Sequence, residues 1–107
     1  MIEVTSQEDL TKQLKANSKV IALFYASWCP FCRSFLSVFN EKAQDPREDT
    51  YIRVQIDEDE NPMWETYSLD AVPSIILFEN GGVTKRLDCH LGMGLTEKQF
   101  TQWLQHI

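Results

Sequence analysis

Two cysteines, Cys29 and Cys32, stand three positions apart in the segment YASWCPFCRSF, residues 25–35, with a proline and a phenylalanine between them. A pair at this spacing can serve as a dithiol that exchanges with disulfides, as half of a zinc site, or as two small buried side chains. These interpretations require different surroundings: a helix terminus that stabilises a thiolate, two further metal ligands, or an apolar core. The elements around the pair therefore decide which chemistry is available.

The pair lies where a buried strand is predicted to end and a helix to begin. The preceding run VIALFY, residues 20–25, is short, apolar and rich in β-branched and aromatic residues, as is typical of a strand covered on both faces. Apolar residues then recur at helical spacing, at Phe31, Phe35, Val38 and Phe39. The first turn of a helix has free backbone N–H groups and the positive end of the helix dipole, so we expect the thiolate of Cys29 to be stabilised there.

The spacing also suits reversible disulfide formation. Residues i and i+3 share one face of a helix with Cβ atoms about 5–6 Å apart, whereas a disulfide needs about 3.5–4.5 Å. Because Cys29 occupies the non-helical N-cap, we expect the pair to close without distorting the helix. Pro30 fits the first helical position, which needs no N–H, and Arg33 adds a positive charge that favours a thiolate. We predict that Cys29, exposed at the helix terminus, attacks and that Cys32, one turn further, resolves the mixed disulfide.

Strands and helices alternate along the whole chain. The sequence predicts a strand at 2–4, a helix capped at Ser6, the buried strand 20–25, and the helix after the cysteines, which ends at Asp45-Pro46. A strand at 51–56 and a helix from Pro62 to about Tyr67 follow. Strands at 74–78 and 83–87 are joined by the turn Asn80-Gly81-Gly82, and a final helix is capped at Thr96. This order predicts an α/β fold with a mixed central sheet flanked by helices on both faces, in which the last hairpin supplies the antiparallel edge. The 107 residues suit a single domain spanning residues 1–107.

The composition limits the class of protein. The formal net charge of −6 argues against nucleic-acid binding, which requires a basic face, and against attachment to an anionic membrane surface. No apolar run approaches the roughly 18 residues of a membrane span, and MIEVTSQEDL lacks the basic and apolar segments of a secretory signal. The three cysteines do not suit a disulfide-stapled secreted domain. We therefore predict a cytoplasmic protein that binds neither nucleic acid nor membrane.

Three motifs together closely resemble the thioredoxin family: Trp28-Cys29-Pro30-Phe31-Cys32 after a buried strand, Val72-Pro73-Ser74 before a second buried strand, and Asn80-Gly81. They stand in the family's order and spacing, and the resemblance covers nearly the whole chain. It implies a thioredoxin fold and a protein-disulfide reductase, in which Cys29 and Cys32 reduce disulfides of client proteins by way of a mixed disulfide. It also implies a monomer that needs no cofactor beyond the redox-active Cys29–Cys32 disulfide, with a thioredoxin reductase or glutathione as electron donor.

The resemblance also assigns a substrate-binding surface. In the family, the proline that matches Pro73 is cis and lies opposite the cysteine pair, and the backbone beside it pairs with an extended substrate chain. We carry this role to Pro73, with Val72 as the residue that faces the substrate. The tryptophan that matches Trp28 flanks the nucleophile. The expected substrate-binding residues are therefore Trp28, Pro30, Phe31, Val72 and Pro73.

Several positions depart from the usual pattern of the family. This chain has Pro30-Phe31 where thioredoxins usually have Gly-Pro, which is closer to glutaredoxins and predicts a more oxidising reduction potential. Leu23 replaces a buried aspartate, so we expect Cys32 to lose its proton to water. Arg53 lies near the position of a lysine that is frequent in the family, and we therefore name Arg53 as a candidate modulator of the dithiol. Ser37 takes the place of a proline that kinks the helix.

The remaining candidates for chemistry are weaker. A zinc site needs two more ligands, and Cys89, His90 and His106 are the available ones. Cys89 and His90 are adjacent and would point to opposite faces of a strand, so we predict no metal site. Cys89 is either a third thiol near Cys29, open to glutathionylation or cross-linking, or a small buried side chain at the end of an edge strand, and we favour the buried side chain. The acidic run Asp57–Glu60 fits no calcium-binding loop and is predicted to be solvated.

Two alternatives to a thioredoxin-type reductase stay open. A glutathione-coupled enzyme of glutaredoxin type on the same fold is favoured by the Pro30-Phe31 dipeptide, whereas the β-α unit before VIALFY favours the thioredoxin type. A non-catalytic module of the same fold, either zinc-loaded or docking partners in its groove, would have no redox-active dithiol.

Overall fold

The computed structural model of the chain describes residues 2–44, 50–90 and 92–107. Its elements within these ranges are β1 (Ile2–Val4), α1 (Gln7–Ala16), β2 (Lys19–Tyr25), α2 (Pro30–Ala43), β3 (Thr50–Gln55), α3 (Met63–Thr66), β4 (Ser74–Glu79), β5 (Gly82–Asp88) and α4 (Glu97–Gln105). The predicted order is confirmed, although Pro62 is the N-cap of α3 instead of its first residue. The helix end predicted at Asp45-Pro46 lies outside the described residues. Among the helices of the described ranges, none combines the length and the apolar character that crossing a membrane requires.

A mixed sheet forms the centre of the fold, and its described strands follow the order β1-β3-β2-β4-β5. β3 runs parallel to both β1 and β2, whereas β4 pairs antiparallel with β2 and with β5. The sequence predicted the mixed sheet but placed its antiparallel pairing at the last hairpin. In the structure β4 is antiparallel to β2 as well as to β5, so the antiparallel part of the sheet already begins at the β2–β4 pair. An apolar run reports burial on both faces of a strand, and burial does not depend on the direction of the neighbouring strand.

The β4–β5 hairpin follows from its two turn residues. Asn80 has φ 53° and Gly81 has φ 85°, and the left-handed region at both central positions defines the tight turn that suits the twist of a hairpin. Glycine reaches this region without steric cost and asparagine tolerates it. The predicted hairpin is confirmed, and it places β5 at the edge of the sheet.

Helices α2 and α4 cover one face of the sheet through aromatic contacts. Phe39 of α2 packs on Tyr51 of β3 with ring centroids 5.6 Å apart and on Phe100 of α4 at 5.7 Å. Phe35, one turn earlier on α2, contacts Phe100 at 5.5 Å. The apolar stripes predicted on both helices therefore meet above β3, and they hold the helix that carries the cysteines.

The opposite face is covered by the region around α3. Tyr67, directly after α3, packs on Phe24 of β2 at 5.3 Å and on Phe78 of β4 at 5.6 Å. Tyr51 is in register with Ile21 on β2. Because side chains alternate along a strand, Phe24 and Ile21 point to opposite faces. The sheet is therefore covered on both sides, as the sequence predicted.

Phe100 links the two helices of the first face. It is fully buried and its ring contacts Phe35, Phe39 and Trp103. We expect Phe100→Ala to lower the free energy of unfolding by about 3–5 kcal/mol, because a cavity opens between α2 and α4. Urea denaturation measures the change. Gln102→Ala, on the exposed side of α4, should alter the free energy by less than about 0.5 kcal/mol. Similar stabilities of the two variants would contradict this account of the core.

Candidate active site

The two cysteines lie at the N-terminus of α2, shortly after β2 ends. Cys29 is the N-cap residue, with φ −91° and ψ 117°, and Pro30 begins the helix. The backbone N–H of Cys32 donates to the Cys29 sulfur at 3.4 Å, and that of Arg33 donates to the Cys29 carbonyl at 3.1 Å. Both cysteines are free thiols. The helix terminus predicted from the sequence is confirmed, and an amide of its first turn is directed at the sulfur of Cys29.

The segment before β4 lies across this sulfur. The Cys29 thiol donates to the carbonyl oxygen of Val72 at 3.6 Å, and the Val72–Pro73 peptide bond is cis. Residues 43 positions apart in the chain are thereby brought into contact. This contact makes Cys29 less exposed than the sequence predicted: 5% of its surface is accessible, against 0% for Cys32. The prediction of an exposed Cys29 was wrong because the resemblance placed Pro73 opposite the cysteines without revealing that the Val72 carbonyl covers the sulfur.

The other predicted substrate-binding residues lie next to Cys29 in different environments. Trp28 and Phe31 are exposed large hydrophobic side chains, with 55% and 42% of their surface accessible, and Pro30 is exposed between them in the chain. The side chain of Val72 is buried, at 8%. The backbone carbonyl of Val72 therefore faces the sulfur, while the exposed apolar surface at this site comes from the residues beside the cysteine.

Cys32 lies inside the core. Burial raises the pKa of its thiol, and the neighbouring Cys29 thiol raises it further. Leu23, at the position where the resemblance expects an aspartate, is fully buried and offers no carboxylate. Cys32 is therefore held as a neutral thiol in an apolar environment.

Glu3, Arg53 and Tyr25 form a polar cluster that the sequence did not reveal. Arg53 on β3 lies in register between Glu3 on β1 and Leu23 on β2. Its guanidinium pairs with the Glu3 carboxylate at 3.1 Å, and the Tyr25 hydroxyl donates to the same carboxylate. Burial, followed by this hydrogen bond, raises the pKa of Tyr25. Because Arg53 is engaged by Glu3, its direct influence on the cysteines stays a prediction. Only the β1–β3 pairing could have indicated this cluster.

Asp57 orders the loop that carries Trp28. Its carboxylate accepts hydrogen bonds from the backbone N–H of Ser27 at 2.7 Å, from the Ser27 hydroxyl, and from the amide of Gln55 at 2.8 Å. The indole N–H of Trp28 donates to the Asp57 carbonyl at 2.9 Å. The sequence predicted a solvated acidic run here, and the Asp57 carboxylate is accessible, but the sequence did not reveal its hydrogen bonds to Ser27 and Gln55. Ser27 and Asp57 each follow a strand of one parallel pair, and such strand ends meet at the same edge of the sheet.

The two remaining predicted modulators lie in different environments. The Arg33 side chain is exposed on the first turn of α2. Cys89 is half-buried and packs against the hydrophobic core, and its burial, followed by the charge of Cys29, raises the pKa of its thiol. This position agrees with the small buried side chain that the sequence favoured, and a third-thiol role stays a prediction. In the described part of the chain, no three His, Cys, Asp or Glu side chains are grouped to hold a metal ion.

Comparison with known sequences gives consistent matches. A family model described as Thioredoxin matches residues 1–105. A thioredoxin of Mycoplasmoides gallisepticum is 33% identical over 81 residues, which cover 76% of this chain and 80% of that protein. A thioredoxin of Chlamydia pneumoniae is 30% identical over 100 residues, which cover 94% of this chain and 91% of that protein.

Comparison with solved structures supports the fold. A structure of Plasmodium falciparum thioredoxin superimposes with a TM-score of 0.84 at 22% identity, and the match covers 99% of this chain and 98% of that one. A mutant thioredoxin from Halobacterium salinarum superimposes with a TM-score of 0.78 at 24% identity, over 98% of this chain and 88% of that one. At this level of identity the likeness establishes the architecture of sheet and helices.

The hydrogen bonds to Asp57 predict a pH dependence of stability. The Ser27 hydroxyl holds the pKa of this carboxyl below its ordinary value of 3.8. A depressed folded-state pKa contributes stability above the unfolded-state pKa, and this contribution is lost as the pH falls through the folded-state value. We expect Asp57→Asn to be less stable than the parent at neutral pH, by a modest amount because the carboxylate is accessible, and the difference to shrink progressively as the pH falls below about 3.9.

Thermal unfolding between neutral pH and about pH 3 measures this difference. Asp59→Asn, at an exposed position in the same loop, is the matched control. Its stability should not differ from that of the parent by an amount that shrinks at low pH. A gap between Asp57→Asn and the parent that stays constant throughout the range would contradict the role of the carboxylate.

Proposed function

The chain belongs to the thioredoxin family, and from this premise we propose how its two thiols act and on what. The relatives named thioredoxin are protein-disulfide reductases, and the protein is a thiol–disulfide oxidoreductase of this kind. We propose that Cys29 attacks a disulfide of a client protein and that Cys32 completes the exchange.

The reaction consists of two thiol–disulfide exchanges. The Cys29 thiolate attacks one sulfur of the client disulfide, the client S–S bond breaks, and its other sulfur leaves as a thiolate. Cys29 and the client are then joined by a mixed disulfide. Cys32, after losing its proton, attacks the Cys29 sulfur, and the Cys29–Cys32 disulfide forms as the second client thiolate departs. Two electrons have passed to the client, and its two thiolates take up protons from solvent.

The observation that carries this assignment is the contact between the Cys32 amide and the Cys29 sulfur, 3.4 Å long, in the first turn of α2. A hydrogen bond from a helix-terminal amide favours the thiolate over the thiol. Cys32 is fully buried, and this burial raises the pKa of its thiol. The contrast supports Cys29 as the attacking thiol and Cys32 as the resolving thiol.

The client is proposed to bind as an extended segment beside Val72 and Pro73. The Val72 carbonyl lies 3.6 Å from the attacking sulfur, so a client backbone that pairs with this segment would have its disulfide next to Cys29. The exposed side chains of Trp28 and Phe31, with Pro30, would contact apolar residues that flank the client cysteine. Main-chain pairing accepts many sequences, which suits a reductase with several client proteins.

Water is the proposed acceptor of the Cys32 proton. Leu23 is apolar, and Glu3, the carboxylate on its face of the sheet, is engaged by Arg53 and Tyr25. Deprotonation of Cys32 would then require the first turn of α2 to admit water in the mixed-disulfide state. The pKa of Cys32, raised by burial, supports a resolving step that is slower than attack.

A thioredoxin reductase is the proposed electron donor. One relative, from Mycobacterium leprae, carries the name bifunctional thioredoxin reductase/thioredoxin; it is 32% identical over 87 residues, which form 80% of this chain and 19% of that protein. The second candidate is glutathione, which the Pro30-Phe31 dipeptide favours. No cofactor beyond the Cys29–Cys32 disulfide is proposed, and the single domain, the monomeric state and the cytoplasmic location stay predictions.

Substitution of each cysteine tests the roles of the two thiols. We expect Cys29→Ser to reduce the rate of insulin disulfide reduction to background, because the attacking sulfur is lost. Cys32→Ser should accumulate a mixed disulfide with the client, since the resolving thiol is absent, and mass spectrometry of the intact adduct detects it. Cys89→Ser, which removes the third thiol, should leave the rate close to that of the parent. Parental activity of Cys29→Ser would refute the assignment of the attacking thiol, whereas a parent protein without reductase activity would favour a non-catalytic module.

The rate of reduction of the oxidised protein separates the two donors. We expect NADPH with a thioredoxin reductase to reduce the Cys29–Cys32 disulfide faster than glutathione does at physiological concentration. Replacement of Pro30-Phe31 by Gly-Pro should slow only the reaction with glutathione if this dipeptide determines access of the tripeptide. Faster reduction of the parent by glutathione would favour a glutaredoxin-type enzyme.

A further inference from the structure

Phe31, between the two cysteines, lies directly against Gly94. Gly94 stands just before α4, forms an antiparallel bridge with His90 and has φ +65°. A Cβ atom on Gly94 would lie 3.0 Å from Cγ of Phe31 and only 2.9 Å from its Cβ and Cδ1, and the two shorter separations are too close for carbon atoms that are not bonded. The absence of a side chain at Gly94 is therefore what allows Phe31 its position.

Rotation of the phenylalanine ring cannot relieve this contact. The Cβ atom of Phe31 is bonded to the backbone and moves only with the first turn of α2. On the other side, the Gly94 turn is held by the hydrogen bond from the Met93 N–H to the His90 carbonyl, 3.0 Å long. The capping box of Thr96 begins α4 two residues later, and Leu95 between them is buried. A side chain at position 94 would therefore press on the first turn of α2 at Phe31.

We propose that Gly94 is a positioning residue for the dithiol. Because Gly94 has no side chain, the first turn of α2 can lie where the Cys32 amide faces the Cys29 sulfur. Phe31 is covalently joined to Cys32, so a displacement of Phe31 changes the contact of 3.4 Å between the Cys32 N–H and that sulfur. Gly94 thereby acts on the chemistry through Phe31. The inference rests on the proposed function, because it concerns the redox equilibrium of the Cys29–Cys32 couple.

The direction of the effect follows from the state that the amide stabilises. The hydrogen bond favours the Cys29 thiolate, which belongs to the reduced form. Stabilisation of the reduced form makes a dithiol couple more oxidising. A side chain at position 94 weakens this hydrogen bond. The disulfide then becomes more stable relative to the dithiol, and the couple becomes more reducing.

Gly94→Ala tests the proposal. We expect its disulfide to be about tenfold more favoured than that of the parent in equilibrium with reduced and oxidised glutathione, a shift of about 30 mV for a two-electron couple. Alkylation of Cys29 by iodoacetamide at neutral pH should also slow. Gly92→Ala is the matched control, because Gly92 has φ +79° and an added Cβ meets nothing within 4 Å. It imposes similar backbone strain without the contact and should stay within about twofold of the parent.

A second comparison isolates Phe31. In a Phe31→Gly background the colliding Cβ, Cγ and Cδ1 atoms are absent, so adding Gly94→Ala should no longer shift the equilibrium. Thermal unfolding of each variant reports whether it folds. If Gly94→Ala does not fold, Gly94→Asn is compared with its control Gly92→Asn instead. Asparagine tolerates positive φ while it still carries a Cβ.

Three outcomes overturn the proposal: a parental equilibrium in a folded Gly94 variant, an equal shift in the Gly92 control, or an undiminished shift in the Phe31→Gly background. Failure of the proposed function has a different signature. In that case the parent itself would not interconvert between dithiol and disulfide in the glutathione buffer.

Discussion

The N-terminus of α2 is placed against the end of the central strand, and the amide of Cys32 in its first turn is directed at the sulfur of Cys29. This one interaction distinguishes two chemically identical side chains. The residue at the N-cap gains the hydrogen bond that favours a thiolate, while Cys32, one turn further, is enclosed by the core. Because β2 is paired on both sides and buried along its length, the sheet holds the N-cap in a position that a short loop by itself would not maintain.

The second half of the site depends on the antiparallel pairing of β4 with β2. Phe24, near the end of β2, is in register with Ser74 at the beginning of β4. The chain that leaves β2 and the chain that enters β4 therefore meet at the same edge of the sheet. This register brings the Val72 carbonyl to the sulfur of Cys29 and covers it, so one pairing supplies both the proposed docking backbone for a client and the shielding of the thiol.

Polar side chains near the site stabilise its frame, and the dithiol itself lies in apolar surroundings. The carboxylate of Asp57 satisfies the donors of Ser27 and thereby orders the loop that ends in Trp28. Glu3 is engaged by Arg53. Leu23 and Cys32 are both fully buried, and burial is the largest influence that raises the pKa of the Cys32 thiol. The proposed release step therefore depends on local opening of the helix terminus.

The sequence by itself determined the order of elements, the hairpin at Asn80-Gly81 and the helix-terminal dithiol, because periodicity, turn residues and N-cap position are local properties of the chain. Only the tertiary structure decided that Cys29 is covered, that Asp57 binds Ser27 and that Phe31 lies on Gly94. These contacts join segments distant in the chain, and they depend on which strands pair and in which direction. An apolar run reveals that a strand is buried, but it carries no information about the direction or register of its neighbours.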